Sequence, residues 1–116
     1  MVSHAIQSLP EPLAEKLREV VERVTSRAQA QLIILFGSHA EGRAGPESDV
    51  DLVVVVDTPD WHRTSVDLSL AVRPVLSPYP CDLLVYTKEG WEHNRHIIGF
   101  VARDADRGGV RLYEAP

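Results

Sequence analysis

Only one cysteine, Cys81, occurs in 116 residues. It cannot close an internal disulfide, which predicts a reducing compartment and a thiol packed into an apolar segment rather than a reactive one. Positive charge is also scarce. Twelve Lys and Arg stand against 17 Asp and Glu, for a net charge of −5. That balance excludes the broad basic face on which nonspecific nucleic-acid binding depends, so no direct nucleic-acid binding is expected. No apolar run approaches the roughly 18 residues of a membrane span. The N-terminal stretch lacks a signal-peptide hydrophobic region. Together these absences predict a cytoplasmic protein with no membrane association. Repeats, linkers and low-complexity segments are missing as well. With 44% hydrophobic residues, 1–116 is expected to form a single domain with a modest core.

What the chain does carry is concentrated in one stretch, GSHAEGRAGPESDVDLVVVVD, from Gly37 to Asp57. Asp49 and Asp51 are separated by one residue, and in a strand such positions point to the same face. The residues that follow, Leu52 to Val56, are all apolar and mostly β-branched, which predicts a strand buried on both faces. Two carboxylates at its mouth repel each other unless one stays protonated. A hard divalent cation removes that conflict, and magnesium favours oxygen ligands together with substrate phosphates. Paired ions in such a site hold the attacking and leaving oxygens of a phosphoryl transfer. An EF-hand is excluded because its ligand spacing and terminal Glu are missing.

At the other end of the stretch, Gln31–Phe36 reads as a strand that stops at Gly37-Ser38. Glycine permits a sharp turn and close approach of a ligand, and Ser38 is both a good helix N-cap and a hydroxyl donor. His39 to Gly42 is expected to form a short helix with N–H groups free for an anion. A link containing Gly42, Gly45, Pro46 and Ser48 joins the two strands in hairpin fashion.

The remaining segments supply a scaffold. Leu13, Leu17, Val20, Val21 and Val24 form the apolar stripe of a helix from about Leu13 to Ala30, with Glu15–Arg18 and Glu19–Arg23 charge pairs. A helix from Trp61 to Val72 is expected to stop at Arg73-Pro74. Cys81–Tyr86 reads as another apolar strand. Thr87 is the expected N-cap of a helix running to about Arg103, with Gly90 in its first turn. His93 and His96 lie three apart on that helix, but no Cys or acid at matching spacing completes a zinc site, so they are expected to be solvated or structural. Trp61, Trp91 and Tyr113 are expected to pack. The order of elements predicts an α/β (α+β) fold, a small mixed sheet with helices packed against it.

Gly37-Ser38, ten residues, then Asp49-x-Asp51 resembles the G-S-x10-D-x-D signature of polymerase-β-type nucleotidyltransferases, and most closely the minimal nucleotidyltransferase (MNT) family. The tail Ala102–Glu114, a helix, a glycine turn and a Leu-Tyr-Glu strand, looks like the usual ending of that family. The resemblance implies the polymerase-β-like nucleotidyltransferase fold. It implies that Gly37 and Ser38 contact the triphosphate of ATP, and that Asp49, Asp51 and Asp82 are the catalytic acids and ligands of Mg2+, as two ions. In such enzymes the third acid helps deprotonate the attacking hydroxyl. Family members commonly pair with a helical HEPN-type toxin as its antitoxin, and some transfer AMP to a tyrosine of that toxin. The alternatives are an adenylyltransferase acting on a small, aminoglycoside-like molecule and a non-catalytic antitoxin that neutralises by binding. The sequence departs from the family pattern at Glu41, where a basic residue is usual. Arg43 or His39 replaces it, or nucleotide binding is weak; His39 is otherwise a solvated loop residue.

Overall fold

A computed structural model describes residues 2–45 and 47–116; Pro46 of the strand link lies outside the described residues. After a short 3-10 turn, His4–Ser8, the order is α1 (Leu13–Arg27), β1 (Ala30–Phe36), α2 (Ser38–Glu41), β2 (Val50–Val56), α3 (Trp61–Leu76), β3 (Cys81–Thr87), α4 (Lys88–Asn94), α5 (Val101–Gly108) and β4 (Val110–Glu114). The strands form one mixed sheet in the order β3-β2-β1-β4. β2 runs antiparallel to β1 and parallel to β3, and β1 runs antiparallel to β4.

The apolar run Leu52–Val56 of β2 is explained by cover on both faces. Leu52, Val54 and Val56 join Ile33, Leu35 and Leu112 beneath the stripe of α1 and the inner side of α3. Val53 and Val55 join Leu32, Ile34 and Trp91 beneath Ala102 and Ala105 of α5. Every stripe residue read from the sequence of α1 is buried. Each fully buried Val or Leu contributes about 1.5–3 kcal/mol relative to an exposed one. The sheet edges are covered too. On β3, Trp61 Nε1 donates to the Val85 carbonyl at 2.6 Å and Arg73 Nη1 to the Cys81 carbonyl at 2.9 Å. On β4, the Ser3 amide donates to Leu112 at 2.9 Å. Capping these three carbonyls removes part of the template an open edge offers another strand.

Several sequence-based boundaries move. α1 ends at Arg27 rather than Ala30, because Ala30 pairs with Val56 and is drawn into the sheet. α3 continues through Pro74 to Leu76. The proline removes the bond to the Leu70 carbonyl, and Leu70 lies on the solvent side of the helix. The helix expected from Thr87 to Arg103 is two helices. Thr87 does cap the first, accepting from the Gly90 amide at 3.0 Å. Gly99, at φ 90°, then turns the chain before α5. His93 and His96 therefore do not share a helix, and His96 faces Glu92 at 3.4 Å. Trp91 packs as expected, whereas Trp61 is 46% exposed and holds the strand edge through its indole N–H. The expected Glu15–Arg18 and Glu19–Arg23 pairs form, at 3.0 and 3.5 Å. Among the described residues, no helix is long and apolar enough to cross a membrane.

Candidate active site

The parallel register of β2 and β3 sets Asp51 directly beside Asp82. Both are second residues of their strands, at the end of the sheet where β1 finishes. Strand alternation puts Asp51 on the same face as Val53 and Val55, the face covered by α4 and α5. Asp49 joins them just before β2. One carboxylate oxygen from each of Asp49, Asp51 and Asp82 lies within 4.8 Å of the others. The structure thus brings together the three acids read from the sequence. Asp49 and Asp82 are exposed, and Asp51 is partly covered. Burial holds the Asp51 carboxyl above the usual carboxylate range, the charges of Asp82 and Asp49 push it further up, and His39 pulls it down.

Gly37 closes the other side of the cluster. Phe36 pairs with Asp51 across the antiparallel ladder, so the turn after β1 falls beside that carboxylate. Gly37 has φ 77° and ψ −157°, a conformation that side-chain-bearing residues avoid, and a Cβ there would collide with Asp51 Oδ2. Gly37 rather than Ser38 is the N-cap of α2; Ser38 is the first helical residue. The amides of Ala40 and Glu41 donate back to the Gly37 carbonyl at 3.1 Å each, so only part of the short helix has free N–H groups. Gly42, at φ 74°, ends α2 in the left-handed region.

The two residues offered as substitutes for the missing basic residue both point elsewhere. His39 Nε2 lies 3.0 Å from the Ser48 carbonyl, and its ring meets Tyr79 edge-on at 5.6 Å. Arg43 pairs with Glu41 at 2.9 Å in solvent. Cys81, next to Asp82, is a packed thiol as expected. Burial pushes it up to about 11, with Arg73 opposing and the neighbouring acids adding to the shift.

A groove of about 560 Å³ opens from Gly37 along α5, lined by Phe36, Glu41, Val101, Asp104 and Arg107. It falls within the size range of small-molecule sites. Asp104 and Arg107 are not among the site residues read from the sequence. The helical spacing of Val101, Asp104 and Gly108 was the available signal, hidden while the segment read as the tail of a longer helix. Arg95 forms an ion pair with Asp106 at 3.3 Å, and Asp106 also accepts a hydrogen bond from Arg111 at 2.6 Å, tying the start of the interhelical turn to α5 and β4.

The family model of the nucleotidyltransferase domain matches residues 17–103, a span that includes Gly37, Ser38 and all three acids. No match emerges among curated proteins. Among solved structures, the chain is similar to a toxin-antitoxin with AMP-PNP, at 22% identity and a TM-score of 0.61, over 87% of this chain and 73% of that one. It is also similar to a mutant of the toxin-antitoxin MntA-HpeT that carries two Asp-to-Glu changes separated by one residue. There the identity is 20% and the TM-score 0.62, over 84% of this chain and 73% of that one. The fold resemblance read from the sequence is borne out, and the chain belongs to the nucleotidyltransferase domain family.

Proposed function

We propose that residues 1–116 act as one minimal, magnesium-dependent nucleotidyltransferase domain of the MNT type. In this reading it is the antitoxin of a HEPN/MNT pair and transfers AMP from ATP to a tyrosine of its partner toxin. The observation that carries the proposal is the convergence of Asp49, Asp51 and Asp82 beside the Gly37 turn. Three hard oxygen donors with one carboxyl held up by its neighbours fit a divalent cation, which relieves their repulsion. Asp49, Asp51 and Asp82 would hold the pair of Mg2+ ions. When bound, these supply neutralisation of charge on the transferred phosphate and the departing pyrophosphate.

The chain's own residues account for positioning. Gly37 has no side chain, so the triphosphate can approach the backbone beside Asp51, and Ser38 is the hydroxyl donor to a phosphate oxygen. Asp82 accepts the proton of the attacking tyrosine hydroxyl. The tyrosine oxygen then bonds to the α-phosphorus as the bond to pyrophosphate breaks. Phe36 and Val101 give one side of the groove an apolar wall. A protein acceptor is favoured by the apolar rim next to that groove, where Ile98, Phe100 and Val101 are 80%, 47% and 44% exposed. The paired Asp-to-Glu changes in the MntA-HpeT structure have the spacing of Asp49 and Asp51, which supports the same reading.

The test is incubation with α-phosphate-labelled ATP, Mg2+ and either the protein encoded by the adjacent gene or an aminoglycoside. Label is expected on the protein and should disappear when its acceptor tyrosine is changed to phenylalanine. Label on the aminoglycoside alone would favour the small-molecule enzyme. Absence of label from both, with toxin still neutralised, would favour an antitoxin that works by binding.

A further inference from the structure

We infer that Arg107 is the phosphate-binding cation of the nucleotide site, reaching the triphosphate from α5 across the groove that begins at Gly37. The inference rests on the nucleotidyltransferase reading above and identifies a residue outside its sequence motif. The need for such a cation is electrostatic. Asp49, Asp51 and Asp82 already concentrate negative charge, and Glu41 and Asp104 add to it along the groove. A triphosphate is itself strongly anionic, so a cation besides the metal favours its binding.

The geometry leaves one candidate. His39 is near enough to act on Asp51 through its charge, but its Nε2 is committed to the Ser48 carbonyl and its ring lines a separate cavity with Tyr79 and Leu13. Arg43 is spent on Glu41 and does not line the groove. Arg95 and Arg111 are held by Asp106. Arg107 is the one basic side chain lining the groove, among the described residues. It lies one helical turn from Asp104, yet the two form no ion pair, and neither side chain has a hydrogen-bond partner among the described residues. An arginine left without a side-chain partner on the wall of a groove that shares Gly37 with the edge of the acid cluster offers a planar fork of donors matched to phosphate oxygens.

The experiment is a calorimetric titration of the full chain with Mg·ATP and, separately, Mg·tripolyphosphate. Wild type is compared with Arg107→Ala, Arg107→Lys and Arg43→Ala, and a thermal melt is run on each. Arg107→Gln stands in if the alanine variant does not fold. Arg107→Ala is expected to weaken both ligands about tenfold or more, with Lys restoring part of the loss and Arg43→Ala binding as wild type. If Arg107→Ala binds tripolyphosphate as wild type does while remaining folded, the assignment of Arg107 is overturned and the nucleotide reading stands. If wild type binds neither ligand, the nucleotide reading itself fails and Arg107 falls with it.

Discussion

Asp51 and Asp82 are register partners across the parallel pair of β2 and β3, so two carboxylates face one another with no cation between them on either strand. The sheet fixes this opposition, and Asp51 bears its cost because it is the less exposed of the pair. In the metal-free fold its carboxyl binds a proton more tightly than in the unfolded chain, so ionisation of Asp51 costs stability above the raised value. Below the ordinary carboxylate range both states are protonated and the cost vanishes. Asp51→Asn is therefore expected to raise the melting temperature of metal-free protein at neutral pH, with the gain shrinking as pH falls through the carboxylate range. Added Mg2+ should stabilise wild type and leave Asp51→Asn unchanged. Melts from pH 3 to 8, with and without Mg2+, check both signs.

Asp82 tests a separate role. If it accepts the proton of the attacking hydroxyl, Asp82→Asn should lower kcat by about 10²–10⁴-fold while nucleotide binding changes far less. Single-turnover label transfer alongside a nucleotide titration separates the two quantities. A proportional loss of binding would instead make Asp82 chiefly a metal ligand.

Gly37 is constrained twice, by its positive φ and by Asp51 beside its α-carbon. Gly37→Ala should cost about 1–3 kcal/mol in stability from backbone strain alone, and it should displace Asp51 from the cluster. Urea unfolding measures the first effect, and loss of Mg2+-dependent stabilisation measures the second.

Asp106 is 14% exposed at its side chain and holds Arg95 at 3.3 Å and Arg111 at 2.6 Å. Asp106→Ala leaves Arg95 only its exposed Glu92 partner and Arg111 only Glu114, and a loss of about 1.5–3 kcal/mol is expected from the charged Arg111 hydrogen bond. Because the pairing anchors α5, the variant should also weaken nucleotide binding at the Arg107 groove.

The Gly37 and Asp49–Asp51 part of the candidate site was legible because it lies in one contiguous stretch with two strong local signals, the Gly37 turn and an apolar strand opened by Asp49 and Asp51. Asp82 was legible through resemblance, and the β2–β3 register then brought it to the other two. Residues on α5 were not. Apolar periodicity ran across the Arg95–Phe100 segment without a proline, and Gly99 was the sole sign of the break. With the helix start misplaced, Asp104 and Arg107 could not be assigned to a face. The course of α3 past Pro74 was hidden for a related reason: proline forbids a bond only to Leu70, whose side of the helix meets water. His39 and Arg43 were attractive by sequence proximity, and only the geometry of the loop shows that both are engaged elsewhere.

The central claim is that Asp49 and Asp51 support nucleotidyl transfer. It is tested most directly by measuring pyrophosphate release and label transfer from α-phosphate-labelled ATP with Mg2+ and the proposed partner protein, for wild type and for Asp49→Ala/Asp51→Ala. Wild type should release pyrophosphate in step with labelling of the partner, and the double variant, still folded by its melt, should do neither. Equal labelling by the two proteins, or no transfer by wild type despite tight Mg·ATP binding, would contradict the account.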